Sequence, residues 1–162
     1  MNDSNNLEMA LNQLADLVKK SRLNSDWKYR SYSELVLHCG VFFKNQPQTP
    51  FLKRMTPRSC YYNCQKLAFE NKELIYVEGY ALAQDISFPL SHAWLMDTDG
   101  HVIEPTWEVI GTAYIGVPFS TAWIKSFLQL RERKDNLSIF EGNYLEGYSL
   151  LKEGLPTYAL AD

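Results

Sequence analysis

Cys60 follows Pro57-Arg58-Ser59 and opens a helical pattern. A thiol in the first turn of a helix meets unpaired backbone N–H groups and the positive end of the helix dipole. Both favour the thiolate, the form that acts as a nucleophile. Arg58 adds a cation nearby. A thiol nucleophile also needs a base, and the base needs an orienting group. His92 opens the apolar run His-Ala-Trp-Leu-Met, and Glu104 closes the next run in Val-Ile-Glu-Pro-Thr-Trp. Taken singly, each of the three has a plain structural reading: a packed helix cysteine, a core or edge histidine, a solvated carboxylate.

Whether His92 and Glu104 meet depends on a hairpin. Thr98-Asp99-Gly100 lies between the two runs and is a strong turn signal. A three-residue loop with Gly100 left-handed sets Asp97 against His101, Trp94 against Glu104 and His92 against Thr106. Residues 92, 94 and 104 then share a face, and His92 and Glu104 become diagonal neighbours, roughly 7–8 Å apart by backbone. A two-residue Asp99-Gly100 turn shifts the register by one and sends Glu104 to the opposite face. Both turns suit the sequence. The three-residue loop is preferred because it gives the pair a purpose.

Other elements must carry these residues. Leu7, Leu11, Leu14, Leu17 and Val18 fall at helical spacing over residues 6–20, with Asn5 and Glu8 as a capping pair. A second helix is expected from Tyr32 to about Cys39, with Ser31 and Glu34 at capping-box spacing and a left-handed Gly40 at its end. Residues 41–57 read as extended chain and loop. The Cys60 helix should reach about Asn71, with Cys60, Cys64, Leu67 and Ala68 on one face. Cys64, a turn deeper, reads as core. Leu74 to Ala83 looks like a strand interrupted by Gly79, and 85–89 like a loop. Residues 105–119 look extended or irregular. A helix capped by Ser120 or Thr121 should run to about Arg133, and a last one should cover Tyr144 to Lys152. Helices, then strands, then helices predict an α+β fold with a small antiparallel sheet.

The chain has 162 residues, 46% hydrophobic and 22% charged. That suits a single domain, residues 1–162, with a core at about 57–119 between helical terminal parts. The formal charge of -3 gives no basic balance for nucleic acid. Lys19, Lys20 and Arg22, and Arg131, Arg133 and Lys134, read as cations at helix ends. No signal pattern or membrane-length apolar run is visible, and three cysteines suit a reducing, cytoplasmic setting. Asp97-x-Asp99-Gly100 reads as a turn rather than a calcium loop, because His101 stands at the fifth position. His38 and Cys39 lack zinc partners. No cofactor or metal is expected.

The ordered segments Cys60-Tyr61-Tyr62-Asn63-Cys64, Tyr76-Val77-Glu78-Gly79-Tyr80, His92-Ala93-Trp94 and Glu104-Pro105-Thr106-Trp107 resemble transglutaminase-like proteins of the wider papain-like group. They also resemble small uncharacterised bacterial and phage proteins with the same cysteine–histidine–acid order. The resemblance covers residues 57–107. It implies a papain-like core, with Cys60 as nucleophile, His92 as general base and Glu104 as orienting acid. Glu stands where Asp is usual at 104, and Arg58 where glycine is common. The accessory domains of large cross-linking enzymes are missing.

The expected activity is that of a thiol peptidase, amidase, glutamine deamidase or acyltransferase, working through a thioester on a protein or peptide substrate. The Cys60 N–H is a candidate oxyanion donor. Asn63 is a second candidate, beside a local structural role. Trp94 and Trp107 are candidates to wall the substrate cleft, although core packing is the plainer role for each. The alternative is a non-enzymatic binding or inhibitor module on the same scaffold. No nucleic-acid or membrane partner is expected, and the oligomeric state is left open.

Overall fold

The computed structural model of the chain describes residues 2–21, 26–43 and 53–162. Helices α1 (Asp3–Ser21) and α2 (Tyr32–Cys39) lead into strand β1 (Val41–Phe43) and helix α3 (Cys60–Glu70). Strands β2 (Ile75–Leu82), β3 (Leu90–Met96), β4 (Val102–Ile103) and β5 (Ala113–Pro118) follow. Helix α4 (Thr121–Gln129), a 3-10 turn at Glu141–Glu146 and helix α5 (Ser149–Glu153) come last. The strands pair antiparallel in the order β1-β5-β2-β3-β4, and the sheet curls into a half-barrel. The fold is α+β, as the element order predicts.

Strand alternation sorts the side chains into two layers. Tyr76, Ala93, Leu95, Ile115 and Val117 pack with α1, α2 and α3 in the larger core. Val77, Trp94, Val102 and Tyr114 form a smaller cluster on the other face, with Phe43. Gly79 does not interrupt β2. It stands opposite Gly116 of β5, and a Cβ there would run into the Ile115 carbonyl oxygen and the Gly116 Cα. Both obstacles are backbone, so the strands would have to part. Gly79→Ala is expected to cost about 1–3 kcal/mol or more, read as a lower urea midpoint. An unchanged midpoint would show that the strands separate freely.

Several local expectations change. Helix α1 starts three residues early because Asn2, not Asn5, is the cap: its Oδ1 accepts the Asn5 N–H at 3.0 Å. Only Leu7 and Leu11 of its apolar stripe are buried, while Leu14 and Leu17 are exposed. Ser31 caps α2 as expected. Gly40 is extended (φ -83°), not left-handed; its lack of a Cβ is needed for close approach to the Val36 and Gly116 carbonyls. The segment 105–119 contains β5, which pairs with both β2 and β1. Helix α4 stops at Gln129. The expected last helix is split where Gly147 and Tyr148 both turn left-handed. Arg22 and residues 44–52 lie outside the described residues. No helix among the described residues is long and apolar enough to cross a membrane.

Candidate active site

Gly100, at φ 81°, closes the three-residue loop, and Asp97 N–H donates to the His101 carbonyl. Leu95 pairs with Ile103 and Met96 with Val102. This is the register that puts His92 and Glu104 on one face. His92 Nε2 lies 2.7 Å from Glu104 Oε2, and both side chains are buried.

Glu104 is held on every side. Its Oε1 accepts the backbone N–H groups of Thr106 and Trp107, each at 3.1 Å. Its Oε2 also accepts the Tyr114 hydroxyl at 3.1 Å, while that hydroxyl accepts the Gly111 N–H at 2.7 Å. A buried carboxylate must be paired and hydrogen-bonded to be tolerated, and these donors meet that demand. Trp107 stacks flat on the His92 ring, centroid to centroid 3.8 Å at 13°. The carboxylate and the indole together fix the imidazole plane. Tyr114 was not singled out by sequence, because it sits in the segment 105–119, read only as extended or irregular.

Cys60 is the first residue of α3. Its helix packs on the Ala93 face of the sheet, whereas His92 belongs to the other face. Beyond Leu95 and Met96, β4 does not cover β3, which leaves its His92 end unpaired on that side among the described residues. Cys60 and His92 both line a cleft of about 460 Å³ with Arg58, Tyr61, Ser91, Trp107 and Glu141 among its other walls. Among the described residues the imidazole has one hydrogen bond, from Nε2 to Glu104, and no thiol–imidazole bond is made.

The thiol is less acidic than its helix position suggests. Burial pushes it up to about 11, and the charges of Glu78 and Glu104 add to the rise. The N–H groups of Ala93 and Tyr61 pull the other way without cancelling it. The resting cysteine is therefore a thiol. Ser59, the residue before α3, makes no side-chain cap bond, and the Cys60 N–H has no partner among the described residues. That N–H is free to act on an oxyanion. Cys64 is fully buried, its Sγ 3.4 Å from the Ala93 carbonyl oxygen, and serves the core as expected.

Asn63 and Trp94 do not line the cleft. Asn63 is fully buried, and its amide nitrogen donates to Thr56 O at 2.7 Å and Thr106 Oγ1 at 3.0 Å. With both donors used, it cannot serve as an oxyanion donor. It ties the first turn of α3 to the chain leaving Glu104. Trp94 is enclosed between Phe43 and Tyr114 as a core residue. Trp107 is the one tryptophan of the pair that walls the cleft. Asp97, Asp99 and His101 bring ligand atoms within 4.8 Å of one another, but Asp97 Oδ1 accepts the Asp99 and His101 N–H groups, as an aspartate-stabilised turn requires.

Two buried charges outside this set shape the cleft wall. Glu78 of β2 accepts the Tyr76 and Ser138 hydroxyls and the N–H groups of Ile139 and Phe140. Arg131, 3% exposed, holds Glu146 with two bonds and donates to the carbonyls of Asn136 and Ser138. It is not the surface cation its sequence position suggests. Lys134 does take that role, donating to the Leu128 and Gln129 carbonyls at the end of α4. Together Glu78 and Arg131 fix the segment 136–146, which brings Glu141 to the cleft, where it accepts the Tyr61 hydroxyl at 3.2 Å.

Compared with models of known families, with curated proteins and with solved structures, the chain finds no match.

Proposed function

We propose that the protein is a cysteine-dependent hydrolase or acyltransferase acting on an amide bond. The observation that carries this reading is the buried His92–Glu104 pair at 2.7 Å, opening on the same cleft as Cys60. A cysteine at the start of a helix, a histidine on the facing strand and an acid at the next strand's end support a transglutaminase-like, papain-like core.

In this reading His92 takes the Cys60 proton as the sulfur attacks the carbonyl carbon. The raised thiol makes a base in the attack step necessary. The Cys60 N–H stabilises the oxyanion. The C–N bond breaks, the imidazolium protonates the leaving amine, and a thioester remains on Cys60. Water, deprotonated by His92, then releases the acid and restores the thiol; an amine in its place gives acyl transfer. Glu104 holds the ring and its tautomer throughout.

A second reading draws on the raised thiol and the missing thiol–imidazole bond: a non-catalytic binding or inhibitor module. The two are separated by incubating pooled proteins and peptides with wild type and Cys60→Ala, then scoring cleavage, one-dalton deamidation and cross-links by mass spectrometry. Products made by wild type alone support the enzyme. Identical spectra, with Cys60 labelling slowly and no faster than Cys39, support the module.

A further inference from the structure

The cleft around Cys60 carries two opposite charges that the proposed chemistry does not use. Arg58 stands two residues before the nucleophile, and Glu141 comes from the opposite end of the chain. Both are exposed. Among the described residues neither has an ion-pair partner, and they are not paired with each other. Among the described residues the Glu141 carboxylate accepts one hydrogen bond, from the Tyr61 hydroxyl. Its charge also helps to raise the Tyr80 hydroxyl, and the Ser91 side chain lines the same cleft. One wall of the cleft therefore offers a carboxylate among hydroxyls.

Exposed charges are usually no more than solvated surface. Two features set these apart. Glu141 is delivered by a segment pinned by two buried charged residues, Glu78 and Arg131. Burying two charges is costly, and an idle surface turn does not need it. Arg58 takes a left-handed backbone, φ 60°, which costs a residue with a side chain free energy and which glycine would adopt without strain. The chain nevertheless places an arginine there.

We propose that Arg58 and Glu141 read the two ends of a small zwitterionic amide: a short peptide with a free carboxylate and a free ammonium group, its amide carbonyl at Cys60. This rests on the reading of Cys60 as an amide-attacking nucleophile and narrows its substrate class. Arg58 suits a carboxylate through its planar fork of donors. Glu141, with the hydroxyls beside it, suits an ammonium group. A cleft of about 460 Å³ is of small-ligand size. A long folded substrate would leave both charges facing its own neutral backbone.

The test uses the tripeptide Ala-Gln-Ala in four forms: free-ended, N-acetylated, C-amidated and blocked at both ends. Binding is read on the Cys60→Ser protein by isothermal titration calorimetry, so turnover is not needed. The free-ended form should bind about tenfold more tightly than either singly blocked form and about 100-fold more tightly than the doubly blocked one. Glu141→Gln should erase the penalty for acetylation and leave that for amidation. Arg58→Gln should do the reverse, a crossed pattern that general misfolding does not produce. Equal affinities for the four forms, or no binding of any, would overturn the proposal. Alkylation of Cys60 in the wild-type protein, with and without His92, reports separately on the nucleophile. Fast, His92-dependent alkylation without charge preference removes this inference and leaves the proposed chemistry standing.

Discussion

Replacing His92 with alanine is expected to slow iodoacetamide labelling of Cys60 and any turnover by about 10²–10⁴-fold at pH 8. A thiol pushed up to about 11 is ionised in only about one molecule in a thousand at that pH, three units below. Without the base, reactivity must climb about tenfold per pH unit toward that value. With the base, the rise should be shallower. Glu104→Gln is the sharper variant. Its amide can donate to Nε2, which moves the ring proton to Nδ1 and removes the base from the cleft side. It also sets an NH₂ against one of the donors that now converge on the carboxylate. A loss of about 10²-fold or more is expected. If Cys60 labels equally fast in all three proteins over pH 6–10, the pair is structural and the catalytic reading fails.

Glu78→Ala is expected to destabilise the fold by about 3–5 kcal/mol, because it leaves two hydroxyls and two backbone N–H groups buried without an acceptor. Urea denaturation measures this, and a loss under about 1 kcal/mol would show that water replaces the carboxylate. The same group gives a pH signature. Burial raises the folded-state value of Glu78, so its stabilising contribution is fully present below the ordinary glutamate range. It is lost as pH rises through the raised value. Glu78→Gln should remove that slope while costing stability at low pH. Loss of the latch should also free residues 138–141 and with them the Tyr61–Glu141 contact.

The hairpin was legible because its turn chemistry is local. Gly100 supplies a positive φ that either a two- or a three-residue loop can use, so the turn residues left two registers open, and the strand pairing decides the face of Glu104. The start of α3 at Cys60 was legible for a similar reason. Strand β5 was not, because Ala113–Pro118 is buried over most of its length. It therefore lacks alternation, and it contains a glycine and a proline that read as loop. Arg131 resembled a surface cation because its partner, Glu146, is fifteen residues away. Glu78 did leave a signal. Alternation along Tyr76-Val77-Glu78-Gly79-Tyr80 places the carboxylate on the same face as the tyrosines, toward the helices, where only a paired charge is tolerated. The acidity of Cys60 was misjudged because the helix end is local, while the burial that outweighs it comes from the tertiary fold.

Asn63 gives the molecule a division of labour. Its side-chain amide joins Thr56, ahead of Cys60, to Thr106, just after Glu104, and Met55 N–H adds a bond to the Pro105 carbonyl beside it. The segments that carry Cys60 and Glu104 are thus braced to one another across a span of a few residues, without using α1 and its half-used apolar stripe. Segments of a protein open with different free energies. The brace allows the exposed C-terminal half of α1 to open while the spacing at the cleft is kept, so a local loosening at one side of the molecule need not reach the other.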